Sequence, residues 1–427
     1  MTRVVVHGLG YIGLPTAAVI ADSGLDVAGY DTSDGLRKRL REGTLSFEEP
    51  GLDALVDRTR REGALTFVSD VPTGDYHLVC VPTPMVPEEN RADVGYVEAA
   101  GRNVAAVLRE GDTVVLESTV PPGTTTGALR ETLESTGLRA GEEFSLAHCP
   151  ETVLPGNLLE EIRSNDRLLA GVDERSTRKA RELYGRFTDG DIATRTDPTT
   201  VEFVKLAQNT YRDVNVALAN ELAKVAHDYG VDSREAIALA NRHPRVEVHQ
   251  PGPGVGGHCL PIDPWFLGQE SDRLDLIERA REVNDAMPSY VSDVLGEELG
   301  SLESTKIAIL GVAYKGNVED TRRSPGLELA MELGPRRRSD DLLADGGRGP
   351  EVTLYDPHVT DIGVNVASYE DAIRGADAAV VTTDHDEFTE LDPAETKRLM
   401  AGDLVVDTKA VLDREAWSTA GFAVRRI

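Results

Sequence analysis

The run Val4-Val5-Val6-His7 passes without a break into Gly8-Leu9-Gly10-Tyr11-Ile12-Gly13, and no other stretch constrains the fold as strongly. A continuous β-branched segment predicts a strand buried on both faces. Glycines at this spacing predict a tight turn into a helix over Thr16 to Ala21, whose N-terminus can hold a pyrophosphate. A second strand over Asp26 to Asp31 ends in an acid at the expected distance of a ribose ligand, roughly 20 residues on. Asp31 is expected to accept from both ribose hydroxyls and to repel a 2′-phosphate, favouring NAD over NADP. Its plainer role is that of a strand-end turn residue.

The sheet is expected to continue through His77 to Val81, capped by Pro82-Thr83-Pro84, and through Thr113 to Ser118, capped by Thr119 to Thr124. Both caps fall at carboxyl ends of parallel strands, where open α/β sheets bind ligands. The hydroxyls of Thr83, Ser118 and Thr119 either face a nicotinamide or a reacting water, or simply serve the turns. The strand pattern recurs at Lys306 to Gly311, Val352 to Asp356, Ala378 to Thr382 and Leu404 to Asp407, again with an aspartate closing the second strand. There the glycine turn is read as degraded, Gly311-Val312-Ala313-Tyr314-Lys315-Gly316. This second α/β unit is expected to bind something other than NAD, with Lys315 and Arg322 available for phosphate. The stretch 335–350, with Arg336-Arg337-Arg338, reads as a solvated loop.

A helical block joins the two patterns from about Thr199 to Asn241. Val201, Val204, Leu218, Leu222 and Val225 recur at helical spacing and suit a core or a dimer face. Lys205, Asn209, Asp213 and Asn220 form a second stripe, which is either a solvated face or the wall of a substrate cleft.

Beyond the block, Pro251 to Gly257 is too rich in glycine and proline for a regular helix or central strand and lets a ligand approach the backbone. Cys259 follows at once, with Asp263 close behind. Most free cysteines simply pack, and Cys80 and Cys149, in apolar runs, fit that pattern. Cys259 does not, and a thiol in such a loop suits a covalent nucleophile. A hydride acceptor combined with a thiol can carry an alcohol through a thiohemiacetal and a thioester to an acid.

Composition narrows the setting. The 427 residues exceed one ordinary core and imply two or three domains. No apolar run approaches the roughly 20 residues of a membrane span. No signal peptide is expected before the first strand, and three cysteines without motif spacing point to a reducing cytoplasm and to no metal site. With 74 acidic against 45 basic residues, net −29, nucleic acid is not an expected partner. The acidic, arginine-over-lysine balance resembles proteins of salt-accumulating halophilic archaea, in which salt screens dense carboxylates.

Assembled, the motifs GLGYIGLP from Gly8, VPTP from Val81, ESTVPPGT from Glu117, PETVLPG from Pro150, EFVKLAQNTYRDVNVALANEL from Glu202, PGPGVGGHCLPIDPWF from Pro251 and GVAYKGNVEDTRRSP from Gly311 are similar to the UDP-glucose/GDP-mannose dehydrogenase family along almost the whole chain. The stretch from Asn241 to Phe266 most resembles the branch that oxidises UDP-N-acetylmannosamine for surface polysaccharides, using two NAD per sugar. The branch has arginine where Thr152 follows Glu151.

The resemblance implies an α/β chain of two Rossmann-like doubly wound domains joined by a central α-helical dimerisation domain. Its boundaries would be 1–197 for NAD, 198–300 for the helical domain with the catalytic loop, and 301–427 for the UDP-sugar. It implies Cys259 as nucleophile, with Lys205, Asn209 and Asp263 steadying the C6 oxygen, Glu151 serving thioester hydrolysis and Thr119 near the water. NAD would be held by Gly8, Gly10, Tyr11, Ile12, Gly13, Asp31, Pro82, Thr83, Ser118 and Thr119. Glu151, Lys205, Asn209, Arg212, Gly252, Gly254, Gly256, Gly257, Lys315 and Arg322 would hold the substrate, with Arg242 or Arg245 lent by the neighbouring subunit of a homodimer. The other readings are oxidation of UDP-N-acetylglucosamine or UDP-glucose, a single-step 3-hydroxyacid-type dehydrogenase, and a non-catalytic NAD-sensing regulator.

Overall fold

The computed structural model describes residues 2–427 except Glu48, Pro87, 335–348, Asp361, Ile362 and Val364. The arginine-rich stretch at 336–338 therefore lies outside the described residues. The chain divides into two compact units. One comprises Met1–Gln208 with Trp265–Ser271, the other Asn209–Pro264 with Asp272–Ile427.

Apolar strands of four or five residues build the first unit: β1 (Arg3–His7), β2 (Asp26–Tyr30), β3 (Leu65–Val68), β4 (Tyr76–Val79), β5 (Thr113–Leu116), β6 (Ser145–His148), β7 (Arg167–Gly171) and β8 (Ile192–Arg195). They order as β8-β7-β6-β5-β4-β1-β2-β3, parallel except where β6 meets β7. Successive side chains point to opposite faces, so each strand feeds two cores. Val4, Val6 and Leu78 pack with Ala17 and Ile20 of helix α1 (Gly13–Asp22). Val79, Val114 and Leu116 pack on the other face with Val97, Val104 and Phe144.

Helix α2 (Pro198–Asp228) runs through the boundary between the units. The expected single helical block is interrupted after it, where Gly230 turns with φ 66° and Asp232 caps α3 (Ser233–Ala240). Short α4 (Asp263–Gly268) follows the cysteine loop, and α5 (Asp275–Asp285) and α6 (Met287–Leu299) lead into the second sheet. That sheet contains β9 (Lys306–Leu310), β10 (Glu351–Tyr355), β11 (Ala378–Val381), β12 (Leu404–Asp407) and β13 (Ala423–Arg426), all parallel, in the order β10-β9-β11-β12-β13. Once the outer β3 is set aside, this is the order of β2-β1-β4-β5-β6, so the internal repeat is real in space. Met287, Val291 and Leu329 cover one face of the sheet, while Phe388 and Trp417 cover the other.

One expectation needs correction. The second glycine turn is interrupted rather than degraded. A Cβ on Gly13 would lie 2.0 Å from the Gly8 carbonyl oxygen, and a Cβ on Gly326, in the first turn of α7 (Pro325–Leu333), would lie 2.4 Å from that of Gly311. Gly326 thus fills the place of Gly13, with 14 residues between it and Gly311 where four separate Gly13 from Gly8. The apolar stripe of α2, expected to serve a core or a dimer face, divides along its length. Val201 is buried, but Leu218, Leu222 and Val225 are 47%, 39% and 46% exposed. No helix among the described residues is long and apolar enough to cross a membrane.

Candidate active site

In the first unit the site is built on the turn from β1 to α1. Gly8 takes φ 92°, and its missing Cβ would otherwise sit 2.4 Å from the Cys80 carbonyl oxygen. A Cβ on Gly10 would meet nothing within 4 Å, so the turn is open on that side. Asp31, just beyond β2, accepts from Leu9 N (2.9 Å) and Ser33 N (2.8 Å). Each carboxylate oxygen keeps a second lone pair, so the turn role and the ribose role are compatible. The Arg37 guanidinium is bonded to the Asp31 carbonyl and to Asp34.

Thr83 Oγ1 donates to the Thr119 carbonyl (2.7 Å) and Ser118 Oγ to that of Val81 (2.7 Å), stitching the loops after β4 and β5 together. These two hydroxyls therefore shape the loops and can meet a ligand only through their lone pairs, while Pro82 is exposed and Thr119 half-buried. Tyr11 and Ile12 are half-buried. The Tyr11 hydroxyl donates to Glu49 (3.0 Å), which also receives Gly156 N and Leu158 N.

Lys205, on the first turns of α2, donates to Glu151 Oε1 at 3.0 Å, with both side chains largely buried. Glu151 Oε2 accepts from Val153 N (2.8 Å), which fixes the carboxylate after β6. Three residues earlier on α2, Glu202 accepts from Gly123 N, Thr125 N and Thr125 Oγ1.

In the second unit Cys259 is exposed. Its carbonyl accepts from Ile262 N (3.0 Å) and Asp263 N (2.8 Å), turning the loop into α4. Asp263 is buried and accepts from Asn209 Nδ2 at 2.5 Å. The rest of the polar stripe is buried rather than solvated, because it holds this loop from behind. Asn220 Oδ1 receives Gly252 N (2.8 Å), and its amide donates to Asn284 (2.9 Å). Asn284 and Arg281, on α5, both donate to Asp213. Those α5 residues were not anticipated, and on an amphipathic helix nothing marks them out.

The close approach permitted by the paired glycines is made by the chain itself, since a Cβ on Gly257 would lie 2.8 Å from the Tyr314 ring. Gly252 is buried and Gly254 half-buried. Arg322 is clamped by Asp320, while Lys315 is half-buried and Arg212, Arg242 and Arg245 are exposed. At the end of β10, Asp356 Oδ2 accepts from Val312 N, Ala313 N and the buried His385, leaving it no place for a ribose. His358, His385 and Glu387 come within ligand distance of one another, but both His385 nitrogens are already bonded, to Asp356 and to Asn317 N. The three do not make a metal site as they stand.

One sheet thus presents an open glycine turn and a ribose-type acid, and the other lacks both. The chain matches three successive descriptions of one family: its NAD binding domain over residues 2–188, its central domain over 199–286 and its UDP binding domain over 308–414. It belongs to the UDP-glucose/GDP-mannose dehydrogenase family.

Members of this family similar to the chain include UDP-N-acetyl-D-mannosamine dehydrogenase of Methanococcus maripaludis, 40% identical over 431 residues, covering 99% of this chain and 96% of the relative. NDP-N-acetyl-D-galactosaminuronic acid dehydrogenase of Ralstonia nicotianae is also 40% identical, over 95% of each chain. Among solved structures, UDP-D-ManNAc dehydrogenase from Pyrococcus horikoshii superimposes with a TM-score of 0.90 at 40% identity, over 100% of this chain and 99% of that one. The protein is an NAD-dependent dehydrogenase of a UDP-sugar.

Proposed function

We propose that this dehydrogenase oxidises C6 of UDP-N-acetylmannosamine from alcohol to carboxylate, in two steps joined by a covalent bond to Cys259. The carrying observation is the exposed Cys259 thiol on a loop whose next helix brings Asp263 onto the Asn209 amide. Residues 1–197 would hold NAD, 198–300 the catalytic loop and a dimer face, and 301–427 the UDP moiety.

Gly8, Gly10 and Gly13 would receive the NAD pyrophosphate and Asp31 the ribose, with Tyr11, Ile12, Pro82, Thr83, Ser118 and Thr119 lining the path to the nicotinamide. Bound there, NAD supplies the acceptor for one hydride from C6 in each oxidation. As the first hydride leaves, the C6 hydroxyl proton passes to Asp263, and the Asn209 amide and Lys205 ammonium stabilise charge on the oxygen, each donor worth about 3 kcal/mol in such a role. The Cys259 sulfur then adds to the aldehyde carbon, forming a C–S bond while the oxygen takes a proton. Loss of a second hydride from C6, with the hydroxyl proton passing to Asp263 once it has shed the first, converts this thiohemiacetal to a thioester. Water, held near Thr119 and deprotonated by Glu151, adds to the thioester carbon. The C–S bond breaks, the thiolate leaves and the acid is released. In total, alcohol, two NAD⁺ and water give carboxylate, two NADH and three protons.

Arg212, Arg242, Arg245, Lys315 and Arg322 supply positive charge for the sugar diphosphate, Arg242 or Arg245 from a second subunit. That subunit would cover the exposed apolar residues of α2. The Ralstonia nicotianae relative favours a galacto-configured N-acetylhexosamine as the second substrate to test. Cys259→Ser should keep NAD binding and lose acid formation, because an alkoxide is a far poorer leaving group than a thiolate. Wild-type acid production by that variant would sink the covalent route.

A further inference from the structure

Glu49 is buried in the first unit, and its carboxylate gathers segments that lie far apart in the chain. Oε2 accepts from the Tyr11 hydroxyl at 3.0 Å and from Gly156 N at 3.1 Å, while Oε1 accepts from Leu158 N at 2.8 Å. Its own backbone is fixed as well. The Glu49 carbonyl receives Leu52 N (3.1 Å) at the start of the helix Leu52–Arg61, whose Leu52, Leu55 and Val56 lie in the core. Phe47, two residues earlier, packs against the same core and holds its ring centroid 4.8 Å from that of Tyr11. A carboxylate out of water is unfavourable unless hydrogen bonds replace those it loses, and here three donors do so.

The partners belong to two different parts of the candidate site. Tyr11 stands between Gly10 and Ile12 in the glycine turn. Gly156 and Leu158 close the loop that begins with Pro150 and Glu151. That loop is bonded along its length: Glu151 Oε2 accepts from Val153 N (2.8 Å), the Thr152 carbonyl from Asn165 Nδ2 (2.8 Å), and Glu161 from Leu154 N (2.7 Å). Lys205 holds Glu151 Oε1 at 3.0 Å. A plain helix cap would need no distant acid. Leu158 opens the helix Leu158–Ser164, and Asn157 stands at the cap position with a side chain suited to the role, yet it makes no cap hydrogen bond. The bond to Leu158 N comes instead from Glu49, 109 positions away, on the carboxylate that also receives Tyr11.

We propose that Glu49 is a positioning residue that ties the NAD turn to the loop carrying Glu151, so that the seat of the cofactor and the placement of the hydrolytic base depend on one carboxylate. Glu49 acts through Tyr11 on one side and through Gly156 and Leu158 on the other. The hydrolytic half of this inference rests on the role proposed for Glu151.

The test uses the full-length protein, with NAD binding titrated by calorimetry and turnover quenched in acid at saturating NAD and UDP-N-acetylmannosamine. Glu49→Gln keeps the shape of the side chain but turns one acceptor into a donor that faces a donor. It should weaken NAD about tenfold and slow acid release about tenfold, while the NADH of the first turnover forms at the unaltered rate and sugar thioester builds up on the Cys259 peptide. Tyr11→Phe removes a single hydroxyl, so it should weaken NAD about threefold and slow acid release by a similar factor, although Tyr11 lies outside the Glu151 loop. The double variant should bind NAD no more weakly than Glu49→Gln alone, because both changes break the same bond. An acid that served the fold alone would lower the melting temperature and leave the ratio of acid release to first-turnover NADH unchanged. Glu151→Gln is the control and should build up thioester too. Wild-type NAD affinity in Glu49→Gln, additive losses in the double variant, or an unchanged ratio in Glu49→Gln when Glu151→Gln does build up thioester overturns the inference. If Glu49→Gln does not fold, Tyr11→Phe decides alone, and wild-type acid release in it overturns the tie. If Glu151→Gln builds up no thioester, the hydrolytic role of Glu151 falls instead, and the NAD affinities of the single and double variants decide whether Glu49 holds the turn.

Discussion

Mild acid should unfold the first unit from within, because three imidazoles are buried there with almost no exposure: His7, His77 and His148. His7 and His77 touch at 3.1 Å between β1 and β4. Burial, then the neighbouring His77, lowers His7 to about 3. Burial, then Arg109, lowers His77 to about 4, and burial lowers His148 to about 3. An imidazole of the unfolded chain titrates near 6.5, so the unfolded state takes each proton first. The stability these residues contribute is complete above about pH 6.5 and is lost as pH falls toward the folded values. Glu202 has the opposite sign. Burial pushes it up to about 7 against three donors, so folding gains stability from it between pH 7 and about 4.5. Between pH 6 and 5, unfolding therefore takes up about three protons on the imidazoles and releases about one from Glu202, and Glu117, also raised by burial, offsets part of the rest. A net uptake of at most two is worth up to about 3 kcal/mol per pH unit, a large share of the roughly 5–15 kcal/mol that holds a domain together. Urea unfolding followed by circular dichroism at pH 7.5, 6 and 5 measures this directly. His148→Leu removes one proton from the uptake and should lower the slope by about 1.4 kcal/mol per pH unit. A flat midpoint from pH 6.5 to 5, or an unchanged slope in that variant, would refute the reasoning.

Asp31→Asn should cost about tenfold in NAD affinity and narrow the preference over NADP, since it removes a charged ribose acceptor and the repulsion of a 2′-phosphate; competing binding titrations of the two cofactors read both. Leu218→Asp with Leu222→Asp should leave the helix intact but place two charges in the proposed dimer face, giving a monomer by light scattering where the proposal expects a dimer of the unaltered chain. With a net charge of −29, the melting temperature without substrate should rise between dilute buffer and molar KCl, as the Debye length shrinks from about 10 Å at 0.1 M to about 3 Å. A flat or falling curve would reject the salt-adapted reading.

Much of this architecture is visible along the chain, for reasons particular residues make plain. Val4 to His7 reads as a strand because it is apolar on both faces, and the glycines after it read as a turn because Gly13 must sit on the Gly8 carbonyl. Short β3 and β8 are not marked in the same way, since Thr66 and Ala193 place exposed positions inside them. Gly326 escapes notice because the insertion breaks the spacing that identifies Gly13. The ion pair of Lys205 with Glu151 joins residues 54 positions apart, a separation no local rule reaches. The stripe from Lys205 to Asn220 is equally legible as solvated or buried. What settles it is Asn284 and Arg281 on a helix whose own pattern looks ordinary. The apolar stripe of α2 shows its period in the sequence, but which of its residues the chain itself covers is decided only by packing.

The central claim, two oxidations of one carbon through Cys259, is tested most directly by counting. Limiting UDP-N-acetylmannosamine with excess NAD should yield two NADH per sugar and stoichiometric carboxylate. Quenching in acid during turnover should leave a sugar thioester on the Cys259 peptide, with none on Cys80 or Cys149. One NADH per sugar with free aldehyde as product, or two NADH with no adduct and full activity in Cys259→Ser, would contradict it.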